Sequence, residues 1–171
     1  MKLILYFLTY AVLVNCKADE GNLSNYNWGQ LTNNIQMGIS LKNGETSIRL
    51  DSSIILLIHF RNTSTNETFG AGYSYSDDRD LSFKITNSFG WDVSPKFPNK
   101  YGEISAGTFY APLNKTNTYQ FNFGELRRLG YLKSMNKAGE YKIVARLEMI
   151  SLETKKSFTV TSNLIRLKIV E

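Results

Sequence analysis

The chain reads as an all-β domain, an antiparallel β-sandwich of about seven to nine strands with one short helical turn near residues 125–130. Three observations predict it. Apolar residues recur at every second position through most segments that are not polar throughout. Those segments follow one another at spacings of roughly 8 to 15 residues, divided by polar or glycine-bearing turns. Only Glu125-Leu126-Arg127-Arg128-Leu129 spaces its apolar residues for a helix, with Leu126 and Leu129 on one side.

Ahead of the domain, Lys2 precedes an apolar run from Leu3 to Val14 broken only by Thr9, the form of an export signal. A membrane-spanning helix needs about 20 apolar residues and this run has about a dozen, so a signal is expected rather than a span. Leu13-Val14-Asn15-Cys16 resembles the lipobox of bacterial lipoproteins; Leu13 and Val14 match, and Asn15 stands where Gly, Ala or Ser is usual. The resemblance implies that Cys16 becomes a lipid-modified N-terminus in the cell envelope. The other reading is an ordinary signal peptide cut near Ala18, releasing a soluble secreted or periplasmic protein. The expected organisation is therefore residues 1–16 as signal peptide, 17–27 as a flexible polar tether and 28–171 as the domain.

Within the domain, Ile35, Met37, Ile39 and Leu41 alternate into Lys42-Asn43-Gly44-Glu45, where Asn-Gly signals a short turn. A short extended piece with Ile48 and Leu50 follows. Ile54 to Arg61 is almost wholly β-branched or large, and is the best central strand. Residues 62–68 are polar and are expected to form a solvated loop. The glycine-bearing stretch from Phe69 to Tyr75 is expected to be an edge strand or irregular. Leu81, Phe83 and Ile85 alternate, Trp91 and Val93 follow, and Pro95 and Pro98 exclude a central strand in the connection after them. Further extended pieces carry Ile104, Phe109 and Tyr110, then Tyr119, Phe121 and Phe123.

The last third is the most regular. Tyr141, Ile143, Ala145, Leu147 and Met149 alternate strictly, Glu153-Thr154-Lys155-Lys156 makes a charged hairpin tip, and Phe158 and Val160 begin the return. The apolar positions then move to Ile165, Leu167 and Ile169. A period-two pattern changes parity only by an extra residue, which predicts a bulge or kink between Thr161 and Leu164.

Ala138-Gly139-Glu140-Tyr141-Lys142-Ile143 resembles the start of strand F in immunoglobulin-like domains, with Gly139 and Tyr141 matching and Ile143 in the cysteine position. The stretch from Ile35 to Val170 is similar in pattern to Ig-like domains of bacterial exported proteins and lipoproteins. The resemblance implies an immunoglobulin-like β-sandwich, an aliphatic residue where the family has its disulfide, and a Tyr141 hydroxyl bonded to backbone just upstream. It implies no reaction.

The chemical inventory is sparse. Cys16 is the single cysteine, so no disulfide can form within the chain and an apolar core must suffice. The one histidine, His59, lies in the most apolar strand and reads as a packed or hydrogen-bonded residue rather than a base or ligand. Asp77, Asp78 and Asp80 are the densest carboxylates, but Arg79 among them and the absence of EF-hand spacing point to a solvated turn, not a calcium loop. No catalytic residue, cofactor or metal is expected. A net charge of +5, with both signs interspersed, is too small for nucleic-acid binding. Arg127, Arg128, Lys133 and Lys137 form the densest basic stretch. Asn-x-Ser/Thr sequons stand at Asn22, Asn62, Asn66 and Asn114.

Aromatic residues fall in or beside the connections, and Tyr73, Tyr75, Trp91, Phe97, Tyr101 and Tyr110 make the expected binding surface. The expected function is a non-enzymatic module for protein binding, adhesion or assembly, held at a membrane by its N-terminal lipid. The alternatives are a carbohydrate or small-ligand module using those aromatics, and a periplasmic inhibitor or chaperone-like domain using an edge strand.

Overall fold

The computed structural model describes residues 27–73, 81–95, 107–123 and 135–171. They are almost all β, in ten strands: β1 Ile35–Leu41, β2 Ser47–Arg49, β3 Ile55–Asn62, β4 Phe69–Tyr73, β5 Leu81–Asn87, β6 Gly107–Ala111, β7 Thr116–Asn122, β8 Gly139–Ser151, β9 Ser157–Thr161 and β10 Ile165–Val170. The count passes the expected seven to nine because the piece around Ile48 forms a three-residue strand and the final strand is divided by a bulge. The helical turn expected near 125–130 lies outside the described residues.

The strands form a three-stranded sheet, β1-β3-β7, and a larger one ordered β2-β10-β8-β4-β6, in which β5 and β9 also pair with β8. Strand β8 organises the large sheet because its alternation runs unbroken, with Tyr141, Ile143, Ala145, Leu147 and Met149 all buried. Aromatic rings join the sheets' inner faces. Phe60 of β3 meets Phe109 of β6 at 5.3 Å, and Phe83 of β5 meets Phe121 of β7 at 5.1 Å. Each such buried ring contributes about 1.5–3 kcal/mol relative to exposure.

The bulge falls where the parity change predicts it. Thr161 pairs with Arg146 and Ile165 with Ile143, so Ser162, Asn163 and Leu164 stand opposite only Val144 and Ala145. The Ser162 hydroxyl fills the gap in the ladder, accepting from Ala145 N–H at 2.9 Å and donating to Asn163 C=O at 2.7 Å. Asn163 turns towards the other sheet. Its Oδ1 accepts from Ile39 N–H at 2.7 Å and its Nδ2 donates to Ile39 C=O at 3.1 Å, as a neighbouring strand would. On the opposite seam the Tyr119 hydroxyl does the same for Tyr110, accepting from its N–H at 2.8 Å and donating to its C=O at 2.7 Å.

Three expectations need correction. Pairing is not antiparallel throughout, because β2 runs parallel to β10, Ser47 beside Lys168 and Arg49 beside Val170. The short turn expected at Asn43-Gly44 is present, as a 3-10 turn over Lys42–Gly44 with Gly44 at φ +68°, and it leads the chain from the small sheet to the large one. Strand β4 is not an edge, since it pairs with β6 from Phe69 to Tyr73 and with β8 at Phe69 and Gly70; buried Phe69 and Ala71 anchor it. Residues 62–68 are not wholly solvated: Asn62, Ser64 and Thr68 are buried because their polar groups serve nearby backbone. Asn62 Nδ2 donates to Glu67 and Ala111 carbonyls, Ser64 Oγ accepts from Glu67 N–H, and Thr68 N–H donates to the Glu153 carboxylate. That last bond holds the Glu153 carboxyl below its usual range.

Candidate functional site

The end of β5 carries the most exposed aromatic pair among the described residues: Phe89 is 78% exposed and Trp91 69%. Their rings lie 5.6 Å apart at 36°. Local hydrogen bonds fix the turn beneath them. Asn87 Oδ1 accepts from the N–H of Phe89 and of Trp91, both at 3.0 Å, while Asn87 and Trp91 share a backbone bond of 3.1 Å. Gly90 takes φ +80°, a conformation costly for a side chain with a Cβ. Beyond the turn, Ile85 N–H donates to the Ser94 hydroxyl at 2.9 Å, and that hydroxyl donates to Asp92. Two large rings are thus held on a braced turn without filling the core. Aromatic side chains bury about 150–250 Å² each when covered.

Of the residues expected to form one surface, Trp91 and Tyr110 are described with their side chains, and they do not meet. Asn87 pairs with Tyr141 near the start of β8, whereas Tyr110 pairs with Gly70, which pairs with Ile150 near its end. At ~3.3 Å per residue the two sites are about 30 Å apart along the sheet. Tyr110 is 45% exposed. Tyr73 ends β4 opposite Gly107, with its side chain outside the described set. Cys16, Tyr75, Phe97, Tyr101 and the aspartates Asp77, Asp78 and Asp80 also lie outside the described residues. Phe89 joins the site in their place. Its sequence signal is position alone, beside the Gly90 turn and two residues before Trp91.

A cleft of about 470 Å³ opens at the base of the same turn, lined by Asn87 and Ser88 and by Lys142, Arg166 and Lys168 from β8 and β10. Glu140 and Thr46 complete its polar wall.

His59 occupies the outer face of the small sheet and is buried. Its Nε2 and Nδ1 lie 2.9 Å from the hydroxyls of Ser40 and Thr118 on the flanking strands, and the Trp28 ring stands edge-on at 6.4 Å. Burial lowers its pKa to about 4 from 6.5, so the ring is neutral near pH 7. Both ring nitrogens are engaged inside the protein, which is the packed, hydrogen-bonded role expected of it. Among the described residues no three His, Cys, Asp or Glu side chains gather as a metal set, and no helix is long and apolar enough to cross a membrane.

Among the sequons, Asn62 has its amide buried and bonded to Glu67 and Ala111 carbonyls, so that nitrogen is enclosed, while Asn66 and Asn114 are exposed and Asn22 is outside the described residues. Of the densest basic stretch in the sequence, only Lys137 is described, and it is exposed.

No protein-family model matches the chain, and no curated protein matches it. Solved structures similar to it include the following two. One is described as the X-ray structure of Northeast Structural Genomics Consortium target SoR45, 14% identical over 82% of this chain and 90% of that one, with a TM-score of 0.47. The other is a protein from Archaeoglobus fulgidus, 12% identical over 84% of this chain and 93% of that one, with a TM-score of 0.28. Neither likeness is close enough to bear on function.

Proposed function

We propose that the chain is an exported, non-enzymatic binding module, an immunoglobulin-like β-sandwich lipid-anchored through Cys16, that engages a protein partner with the Phe89–Trp91 turn. The observation that carries the proposal is that pair of exposed rings on a turn held rigid by Asn87. Pre-organised aromatic anchors lose little conformational entropy on association and commonly form the centre of a protein interface.

The Ig-like part of the proposal draws support from two details. The Tyr141 hydroxyl donates to Lys137 C=O at 3.0 Å, as the corner tyrosine of that family does, and Ile143 is fully buried where the family has a cysteine. Export and lipidation rest on Lys2, the apolar run and Leu13-Val14-Asn15-Cys16. The tether of residues 17–27 would let the module reach a partner away from the bilayer.

A photo-reactive phenylalanine analogue placed at position 91 in cells, with Leu113 as a second exposed site, tests the interface. A discrete adduct is expected from position 91 only; the same pattern from both positions sinks the proposal. For the anchor, the intact mass from the membrane fraction is expected to include a diacylglyceryl group on the Cys16 sulfur, with or without a third acyl chain on its amino group, lost in Cys16→Ser. Unmodified protein beginning near Asp19 in the soluble fraction would exclude it.

A further inference from the structure

Strand register assembles a cationic row that the sequence disperses. On the outer face of the large sheet, Lys142 lies between Thr86 of β5 and Arg166 of β10, and Lys168, two residues beyond Arg166, stands across from Glu140. Like charges directly opposed destabilise an antiparallel pair. Among the described residues neither Lys142 nor Arg166 has a carboxylate within ion-pair distance. The fold gains nothing from placing them together, since β8 and β10 are held in register by Tyr141, Ile143, Leu167 and Ile169 on the buried side.

These side chains do not stand on an open plane. They line the recessed cleft of about 470 Å³, whose other wall begins the turn bearing Phe89 and Trp91. Cross-strand neighbours are ~5 Å apart and successive outward positions ~7 Å, so the three cations match negative groups on neighbouring units of a narrow chain. A bilayer surface would press on a flat or projecting face, whereas a polymer strand enters a cleft. Arg166 supplies a planar fork suited to carboxylate or sulfate, and Asn87, Ser88 and Thr46 supply amide and hydroxyl groups suited to sugar hydroxyls.

We propose that this cleft binds a linear acidic glycan, a chain of sugars carrying carboxylate or sulfate groups, with Lys142, Arg166 and Lys168 meeting the anions. The site adjoins the proposed protein contact but is tested apart from it, since that contact stands or falls with the crosslink at position 91. Purified full-length protein is titrated with polygalacturonate and with dextran sulfate, using unmodified dextran as the neutral polymer, at about 0.05 and about 0.3 M salt. The two charged polymers distinguish carboxylate from sulfate. Binding of either charged polymer, absent for dextran and weakened by salt, is expected. Lys142→Glu and Arg166→Glu should each weaken binding about ten-fold or more. Their melting temperatures should hold or rise, because each puts a carboxylate opposite a cation. Lys115→Glu, with the same change of charge on the β6–β7 turn, should bind as the native protein does. Equal losses in all three variants, or no binding of either charged polymer, overturns the proposal. Binding to phosphatidylglycerol vesicles in place of glycan, over phosphatidylcholine vesicles and sensitive to Lys142→Glu, also overturns it and makes this face a membrane contact.

Discussion

The two sheets differ most on the sides that face away from the core. The small sheet's outer face is closed around its histidine: Asn27 and Trp28 lie over Gly38, Trp28 stands beside His59, and Ser40 and Thr118 occupy both ring nitrogens. The large sheet's outer face carries Lys142, Arg166 and Lys168 around a cleft, with two bare rings on the adjoining turn. One face holds its titratable ring among hydrogen-bond partners, and the other sets Lys142 against Arg166 with no carboxylate within ion-pair distance of either among the described residues. A buried histidine therefore marks the structural side of this molecule, and a lysine and an arginine set against each other mark the side available for recognition.

The covered face depends on a close approach. Gly29 donates to Met37 C=O at 2.9 Å, and a Cβ added to it would lie 2.0 Å from Thr161 C=O and 2.9 Å from Met37 C=O. Both obstacles are backbone, so Gly29→Ala is expected to lift the covering segment and cost about 3 kcal/mol in urea unfolding. A cost below about 1 kcal/mol would show that the segment adds little to the fold.

Acid should attack the same face. The folded pKa of His59 lies below its unfolded value, so the unfolded chain takes up the proton first. Its contribution is complete above pH 6.5 and lost as pH falls towards about 4. The loss should reach about 3 kcal/mol. Glu153 adds a loss in the same direction at lower pH as its carboxylate is protonated. His59→Gln keeps polar contacts without titrating, so the difference between the two pH profiles isolates the histidine. Identical slopes between pH 6.5 and 4 would refute the assignment.

Asn163→Ala is expected to cost about 2 kcal/mol, because it leaves the Ile39 N–H and C=O without their side-chain partner at the seam. At the other extreme, Trp91→Ser should change stability by no more than about 0.5 kcal/mol, since the ring packs on Phe89 and not on the core. A large loss of stability there would make the turn structural and erase the contrast between the faces.

Much of this organisation is legible locally. The alternation of β8, the extra residue after Thr161 and the Tyr141 hydroxyl bond each follow from residues close together in the chain. What is not legible depends on distant pairing or on backbone angles. The two-residue hairpin lies at Asn33 and Asn34, both at positive φ (47° and 64°), where Thr32 and Ile35 exchange backbone bonds of 2.8 and 2.9 Å. Asn-Asn is a weaker signal for that geometry than the Asn43-Gly44 pair, which forms a 3-10 turn instead. The Lys142–Arg166 opposition is invisible until β8 and β10 are paired, and Phe89 reads like any core aromatic until its turn is built.

The Tyr119 hydroxyl at Tyr110 bears on how this molecule behaves in a crowd. Among the described residues strand β6 ends the large sheet, and its outer rim is where a foreign strand would begin a ladder. At Tyr110 both rim groups are already taken by Tyr119, and Asn117 Nδ2 donates to the same carbonyl at 3.0 Å. A client or a second copy adding there would first have to draw a tyrosine away from Phe60 and Phe109, rings it packs against at 6.0 and 5.0 Å. The core thus guards the rim against polymerisation.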